Sequence, residues 1–430
     1  MQPEKFEVVV VGAGQAGVAM SEHLLDAGVP HVVLERDRIA ERWRTGRWDS
    51  LVANGPAWHD RFPGLEIAGV DPDGFATKDQ MAEYFAAYAA HIGAPVRTGV
   101  EVLSVTRLEG RPGFRVVTST GEIEARFVVA ATGPFQTPVV PTNVPADSGL
   151  HQIHSSTYRS PAQLPDGGVL VVGAGSSGVQ IADELNRSGR SVHLSVGPHD
   201  RPPRRYRGRD FVWWLGVLGK WDLAAPPAGA EHVTIAVSGA HGGRTIDFRD
   251  LAANGITLVG RTGAYHDGRL AFGTDVGTNI ARGDANYLTL LAEADAYVAA
   301  NGLDLPEEPA AHELGPEPRC VTDPLAELDL AAAGITSIVW ATGYATDYSW
   351  LRIAPEAFDD RGRPVHQRGV SIEPGVYFLG LPWQSRRGSS FVWGVWHDAR
   401  FVADQIGIQR SYAQYDPASP TLDLVTGAAR

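Results

Sequence analysis

The sequence predicts an α/β fold in which one strand–turn–helix plan occurs twice. Three observations predict it: a β-branched run near the N-terminus that ends in a glycine-rich turn, a second such run near mid-chain, and an apolar segment closing in Ala-Thr-Gly well after each. Unbroken apolar runs of this kind form parallel strands covered on both faces, and helices supply the cover.

The first copy opens with Phe6–Val11 (FEVVVV) and runs straight into Gly12-Ala13-Gly14-Gln15-Ala16-Gly17. An amphipathic stretch with Val18, Met20, Leu24 and Leu25 follows and ends near Gly28-Val29-Pro30. His31-Val32-Val33-Leu34 is a second short strand, closed by Glu35. Each residue type has a task. Gly12 permits a tight turn, Gly14 lets the backbone approach a pyrophosphate, and Gly17 lets helix pack on strand. The helix N-terminus offers free N–H groups and partial positive charge to phosphates, and the Glu35 carboxylate can accept hydrogen bonds from a ribose. A glycine pattern alone is weak; the strand, helix and acid around it make a dinucleotide site the better reading.

The second copy begins at Val169-Leu170-Val171-Val172 and enters Gly173-Ala174-Gly175-Ser176-Ser177-Gly178. A helical stretch with Val179, Ile181, Ala182 and Leu185 closes at Gly189, and Ser191–Ser195 is the next strand. Where the first copy has its acid, this one has Ser195 and non-acidic neighbours, followed by Arg201, Arg204, Arg205, Arg207 and Arg209. A carboxylate would repel a 2′-phosphate and arginines would bind it. The competing reading makes those arginines a solvated face. Two Rossmann-like dinucleotide-binding units are expected, the first for a free ribose and the second for NADPH.

Phe127–Gly133 and Ile338–Gly343 are the apolar segments ending in Ala-Thr-Gly. They return the chain to each dinucleotide or are plain strand exits; the tripeptide alone does not decide. A meander-like segment precedes each, Val100–Val117 and Ile256–Phe272, and Thr77-Lys78-Asp79-Gln80 reads as a capping box opening a helix to about His91.

Composition narrows the function. The 430 residues are 43% hydrophobic and 20% charged, with a formal net charge of −13, which argues against nucleic acid and anionic membranes as partners. No apolar run is long enough to span a bilayer, and the Met1–Lys5 start lacks a signal peptide's basic segment, so a cytoplasmic location is expected. Cys320 is the only cysteine, which excludes an intramolecular disulfide framework, a four-cysteine zinc site and a CxxC redox pair. His23, His31, His59, His151, His193, His199 and His397 show no metal-ligand spacing, so no metal is expected and packing roles are the better reading.

Two dinucleotide units in one chain, with an acid only in the first, resemble the two-domain flavoproteins in which an NAD(P)H domain is inserted into an FAD domain. The branch with a reactive cysteine pair is excluded by the lone Cys320. The chain resembles the remaining branch, the class B flavoprotein monooxygenases, and within it the flavin-containing monooxygenases. His154-Ser155-Ser156-Thr157-Tyr158-Arg159 matches the later half of that family's F-x-G-x-x-x-H-x-x-x-(Y/F) signature, while Ser148 and Leu150 depart from its first half, as a divergent bacterial subgroup would. Baeyer–Villiger relatives carry Trp at the Tyr158 position, so Tyr158-Arg159 favours heteroatom oxidation. Leu51-Val52-Ala53-Asn54-Gly55-Pro56 matches a segment whose Asn lies beside the flavin, with an Asx turn as the competing reading. Trp43-Arg44 matches a GG-x-W-R run whose glycines are here Ala40-Glu41, and Gly343-Tyr344 and Gly375–Pro382 match the T-G-Y and G-L-Y-F-x-G-L-P runs.

The resemblance implies that NADPH reduces FAD, that O2 adds to the flavin C4a position, and that one oxygen atom passes to a small apolar substrate at nitrogen or sulfur. Asn54 is the expected catalytic residue. The expected contacts to the two cofactors are Gly12, Gly14, Gln15, Ala16, Gly17, Glu35, Arg36, Trp43, Val102, Thr132, Gly133, Tyr158, Gly173, Gly175, Ser176, Ser177, Gly178, Ser195, Arg204, Arg205, Thr342 and Gly343. Many relatives place an Arg where this chain has Gly197-Pro198, which leaves NADH open as the donor. Among the aromatic stretches Phe211–Leu215 and Phe391–Trp396, Trp393 and Trp396 are the expected substrate walls, against a plain core reading. His154 is either a hinge residue near the nucleotide or a linker cap. The expected division is FAD domain 1–160, NAD(P)H domain 161–348 and FAD return segment 349–430, with a homodimer left open. Two rival functions keep the cofactors: an NAD(P)H-dependent flavin reductase or oxidase, and a non-catalytic flavin-binding redox sensor.

Overall fold

The computed structural model describes residues 3–224, 226 and 235–415. The fold is mixed α/β, built on two separate main sheets, the first mixed with a parallel centre and the second parallel throughout. Glu4–Val11 is the centre of the first, and its last four residues are buried valines. His31–Glu35 and Gly121–Ala130 flank it in parallel, Val96–Thr98 lies outside the former, and Val376–Phe378 lies outside the latter. Gly121–Ala130 serves a second purpose. Its first half pairs antiparallel with Phe114–Thr118, which pairs with Val102–Arg107, so the expected first meander forms and runs on to Ala130.

The second sheet has the order Thr257–Val259, Val192–Ser195, Gly168–Val172, Ile335–Trp340, His151–His154, all parallel. Gly168–Val172 is buried throughout, as a central strand covered on both faces must be. The order around the glycine-turn strand is therefore the same in both sheets. The fifth strand differs in origin: in the first sheet it comes late in the chain, and in the second it comes first. Because His151–His154 already pairs in the second sheet, the chain leaves the first sheet before residue 151, earlier than the sequence division at 161. It has returned by Leu351–Arg352, which pairs with Val102–Arg107.

The expected second meander splits. Thr257–Val259 has buried Leu258 and Val259 and joins the parallel sheet, whereas Thr262–His266, Arg269–Phe272 and Glu327–Asp329 form a separate antiparallel sheet. Alternating exposure along Thr262–His266 suits a sheet with one wet face and not a doubly covered one.

The two crossings of the chain between the sheets run side by side. Thr137–Pro138, outbound, pairs antiparallel with Tyr344–Ala345, inbound, and Val139 N donates to Gly343 O at 3.0 Å. His154 braces this ribbon: its Nε2 donates to Gly343 O at 3.0 Å and its ring meets Tyr344 edge-on at 4.9 Å. Burial holds the His154 pKa below the usual histidine value, so the ring is neutral and the brace is a neutral hydrogen bond.

Three helices position the site. Gln15–Asp26 and Ser176–Arg187 start at Gly14 and Gly175, and neither has a side-chain cap. Lys78–His91 starts with the expected Thr77–Gln80 capping box. The long helix Val392–Gln414 packs along Gln15–Asp26.

Candidate functional site

The first glycine turn is shaped by backbone contacts that only glycine allows. Gly12 has φ +102°, and a Cβ there would lie 2.8 Å from the carbonyl oxygen of Ala131. A Cβ on Gly17 would overlap the carbonyl oxygen of Gly12, which is how closely helix and strand approach. Gly14 faces open space, with no atom within 4 Å of a Cβ. Glu35 is fixed beside the turn, its Oε2 accepting from Ala13 N at 2.8 Å and its Oε1 from Asp37 N at 3.0 Å. Carboxylate oxygens have two lone-pair sites each, so capacity for a ribose remains. A cofactor bringing two phosphates and a free ribose to this turn fits the residues present.

The other expected cofactor residues of the first unit surround that turn unevenly. Gln15 Nε2 donates to Ser390 O at 2.9 Å, tying the turn to the loop before the last helix, and Ala16 packs against Gly380. Thr132 accepts from Gln136 at 2.9 Å, and Gly133 has φ +73° just past the Ala131 carbonyl. Trp43 is half-buried with the Arg47 guanidinium 5.7 Å from its ring. Val102 is half-buried at the start of its strand. Arg36 is exposed and paired with Asp37 at 3.3 Å.

The second turn repeats the first. Gly173 has φ +120°, a Cβ there would overlap the Ala341 carbonyl, and one on Gly178 would overlap the carbonyl of Gly173. Both Ala-Thr-Gly segments thus return to their glycine turns and are not plain exits. Gly343 (φ +85°) and Thr342, which donates to Val139 O, belong to the crossing ribbon as well. Ser177 is half-buried at the helix start, while Ser176 spends its hydroxyl on Ile235 O at 2.6 Å. Ser195 is buried and donates to Gly260 O at 2.9 Å. Tyr158 is fully buried beneath the helix, its hydroxyl donating to Glu184 at 2.7 Å, so it supports the helix and not the turn.

Arg204 is neither a solvated arginine nor a free one. It is buried, bidentate to Asp210 at 2.6 Å, and lies between the rings of Phe75 and Phe211 at 4.7 and 4.6 Å. Its charge is answered within the chain. Arg205 is exposed, with no ion-pair partner among the described residues. Sequence reasoning missed Arg261, which follows the strand pairing with Val192–Ser195; its side chain passes 3.8 Å from where a Gly197 Cβ would be. Arg261 is largely exposed and pairs with Asp275 at 2.6 Å.

Asn54 is one of the places where the two units touch, as Ser50 against Glu184 is another. Its Oδ1 accepts from Gln180 Nε2 at 2.9 Å, and its backbone carbonyl accepts from Arg204 Nη1 at 2.6 Å. Asp60 holds the next residue, its Oδ2 accepting from Gly55 N at 3.0 Å. The Nδ2 of Asn54 makes no hydrogen bond among the described residues, and it is not sealed from solvent. Asp60 also accepts from His59 Nδ1 at 2.9 Å. The His59 ring lies between Trp221 and Trp393, at 5.6 and 5.9 Å and nearly parallel to both. Among the described residues, Trp393 is thus joined to the Asn54 loop only through His59 and Asp60. Trp396 is not joined to it: it packs on His23 at 4.5 Å and donates to Glu22 at 2.6 Å in the seam between the first and last helices. Of the Phe211–Leu215 stretch, Phe211, Val212, Trp214 and Leu215 are core. No group of acidic, His or Cys residues among those described could hold a metal ion.

Comparison with known proteins agrees with this architecture. A family model described as pyridine nucleotide-disulphide oxidoreductase matches residues 9–209. A CzcO-like oxidoreductase from Geobacillus kaustophilus is 34% identical over 403 residues, covering 93% of this chain and 98% of the relative. The chain belongs to the CzcO-like oxidoreductase family. An indole-3-pyruvate monooxygenase of Oryza sativa subsp. japonica is 36% identical over 195 residues, 44% of this chain and 47% of that one. Among solved structures, a flavin-containing monooxygenase from Stenotrophomonas maltophilia superposes with a TM-score of 0.65 at 19% identity, covering 95% and 99% of the two chains. The structure of OTEMO in complex with FAD and NADP gives 0.56 at 16% identity, over 96% and 87%. The chain is thus an oxidoreductase with the fold of the flavin-containing monooxygenases, and the resemblance read from its sequence is borne out. No helix among the described residues is long and apolar enough to cross a membrane.

Proposed function

We propose that this oxidoreductase is an NADPH-driven, FAD-dependent monooxygenase that passes one oxygen atom of O2 to nitrogen or sulfur in a small, largely apolar substrate. The observation that carries the reading is Asn54, held at the seam of the two units by Gln180 and Arg204 with its Nδ2 donors unspent. Bound FAD supplies the hydride-accepting and oxygen-activating chemistry, and NADPH supplies the hydride. The protein binds, orients and shields them.

On this reading the backbone N–H groups from Gly12 to Gly17 hold the FAD pyrophosphate, and Glu35 holds the ribose. Gly173, Gly175, Ser177 and Gly178 do the same for NADPH. Arg205 and Arg261, both exposed, take the 2′-phosphate, Arg261 by exchanging its surface pair with Asp275, since the Arg204–Asp210 pair is buried. Asn54 would donate hydrogen bonds to the bound flavin, and the ring cluster of His59, Trp221 and Trp393 would help to exclude water. The FAD and NADP held by OTEMO support the cofactor pair, and the rice relative supports oxygenation.

The test is a count. Holoenzyme is first reduced anaerobically by NADPH or NADH. NADPH consumed, H2O2 released and product formed are then measured in air with thioethers and tertiary amines. Product matching NADPH, with little H2O2, supports the reading. H2O2 equal to NADPH with every compound overturns it in favour of an oxidase, and flavin that neither nucleotide bleaches overturns the hydride-donor site.

A further inference from the structure

Gln180 decides which way round the Asn54 carboxamide stands. Gln180 is on Ser176–Arg187, the helix that starts at the second glycine turn, and it is more than nine-tenths buried. Its Nε2 donates to the backbone carbonyl of Val237 at 2.7 Å and to Asn54 Oδ1 at 2.9 Å. A backbone carbonyl only accepts, so the Gln180 amide must turn its nitrogen toward Val237. The second hydrogen on that nitrogen then demands an acceptor, and Asn54 must answer with Oδ1. The Asn54 Nδ2 donors are left facing away from Gln180. Reversing the Asn54 amide would set two N–H groups against each other and leave the Gln180 donor unsatisfied.

We propose that Gln180 is a positioning residue: from the nucleotide unit it fixes the Asn54 carboxamide with its N–H donors presented to the flavin. The inference rests on the monooxygenase reading given above. Arg204 on the Asn54 carbonyl and Asp60 on Gly55 N hold the backbone of the same loop, so the side-chain rotation is the one freedom Gln180 controls.

Two substitutions test it in the holoenzyme. Gln180→Glu keeps the shape but removes the donor, is repelled by the Val237 carbonyl and calls for a donor from Asn54, which turns Oδ1 to the flavin. Gln180→Met fills the space and leaves the amide unconstrained. Two readouts are taken: the H2O2 fraction per NADPH, and the midpoint potential of the bound flavin, which needs no turnover. Loss of one fixed donor raises the H2O2 fraction about fivefold and moves the potential downward, further for Gln180→Glu than for Gln180→Met. In an Asn54→Ala background both effects vanish, because the group being positioned is gone.

If the single substitutions change neither readout, or change them equally in the Asn54→Ala background, the proposal is overturned; the latter outcome marks a charge or packing effect. If Asn54→Ala itself leaves both readouts at wild-type values, the role of Asn54 fails and the Gln180 proposal falls with it. If Gln180→Glu does not retain FAD, Gln180→Met carries the same comparison alone.

Discussion

Arg204 donates a 2.6 Å hydrogen bond to the backbone carbonyl of Asn54, a residue 150 positions away, so the loop expected beside the flavin is held from the nucleotide unit. The same guanidinium is paired with Asp210 and stacked between Phe75 and Phe211. Removing one member of a buried pair leaves the other charge uncompensated and costs about 3–5 kcal/mol. Asp210→Asn should lower the unfolding free energy by about 3 kcal/mol in urea titration. A loss under about 1 kcal/mol would mean that solvent reaches the pair.

On the proposed reading, with Arg204 buried against Asp210, the exposed Arg261 and Arg205 recognise the 2′-phosphate. A charge-assisted hydrogen bond contributes about 1.5–3 kcal/mol, so Arg261→Ala should lower kcat/KM for NADPH by roughly tenfold or more and that for NADH far less. Steady-state kinetics with both nucleotides reads this directly. Equal losses for the two would remove Arg261 from recognition of the phosphate.

The two glycine turns should separate under substitution. Gly17→Ala would drive a Cβ into the Gly12 carbonyl and should yield protein purified without its yellow cofactor. Gly178→Ala makes the same collision with Gly173 and should yield yellow protein that NADPH bleaches at least tenfold more slowly. Flavin content and anaerobic bleaching distinguish the two outcomes. Loss of FAD in both variants would show that the units do not bind independently.

Acid should destabilise the fold through His23. Burial against Trp396, whose carbonyl accepts from the ring, lowers the His23 pKa to about 4. Between pH ~6.5 and ~4 the unfolded chain takes up a proton that the folded chain refuses, so stability is full above ~6.5 and falls as the pH drops. The contribution is on the order of 3 kcal/mol. His23→Gln should flatten the difference in urea midpoint between pH ~7 and ~5; an unchanged slope would assign it to other buried histidines.

Substituting Asn54 itself bears on the chemistry. Asn54→Ala should raise H2O2 released per NADPH by about tenfold as product falls, the effect expected from losing an oriented donor. Stoichiometry of NADPH, O2 and H2O2 measures it, and an unaltered product yield would take Asn54 out of the chemistry.

Short-range features were legible in the sequence. The glycine turns depend on residues a few positions apart, so spacing alone located Gly12 to Gly17 and Gly173 to Gly178, and the Thr77–Gln80 cap is equally local. What joins the units is not local. Gln180 reaches Asn54 across 126 positions, and Arg261 meets Gly197 only because two strands pair in parallel. Trp393 and Trp396 show a different limit. They are three residues apart on one helix and so about 60° apart around it, enough to turn one toward His59 and the other into the seam with His23. Tyr158 matched a motif whose spacing does not reveal that its hydroxyl is taken by Glu184.

The outbound and inbound strands at Thr137–Pro138 and Tyr344–Ala345 have an evolutionary consequence. Because the segment between them enters and leaves through neighbouring hydrogen-bonded positions, it can be exchanged as a cassette without moving the ends that remain. Donor preference could then change by replacing one block of sequence, provided that the new block again supplies the Gln180 and Arg204 contacts that hold Asn54.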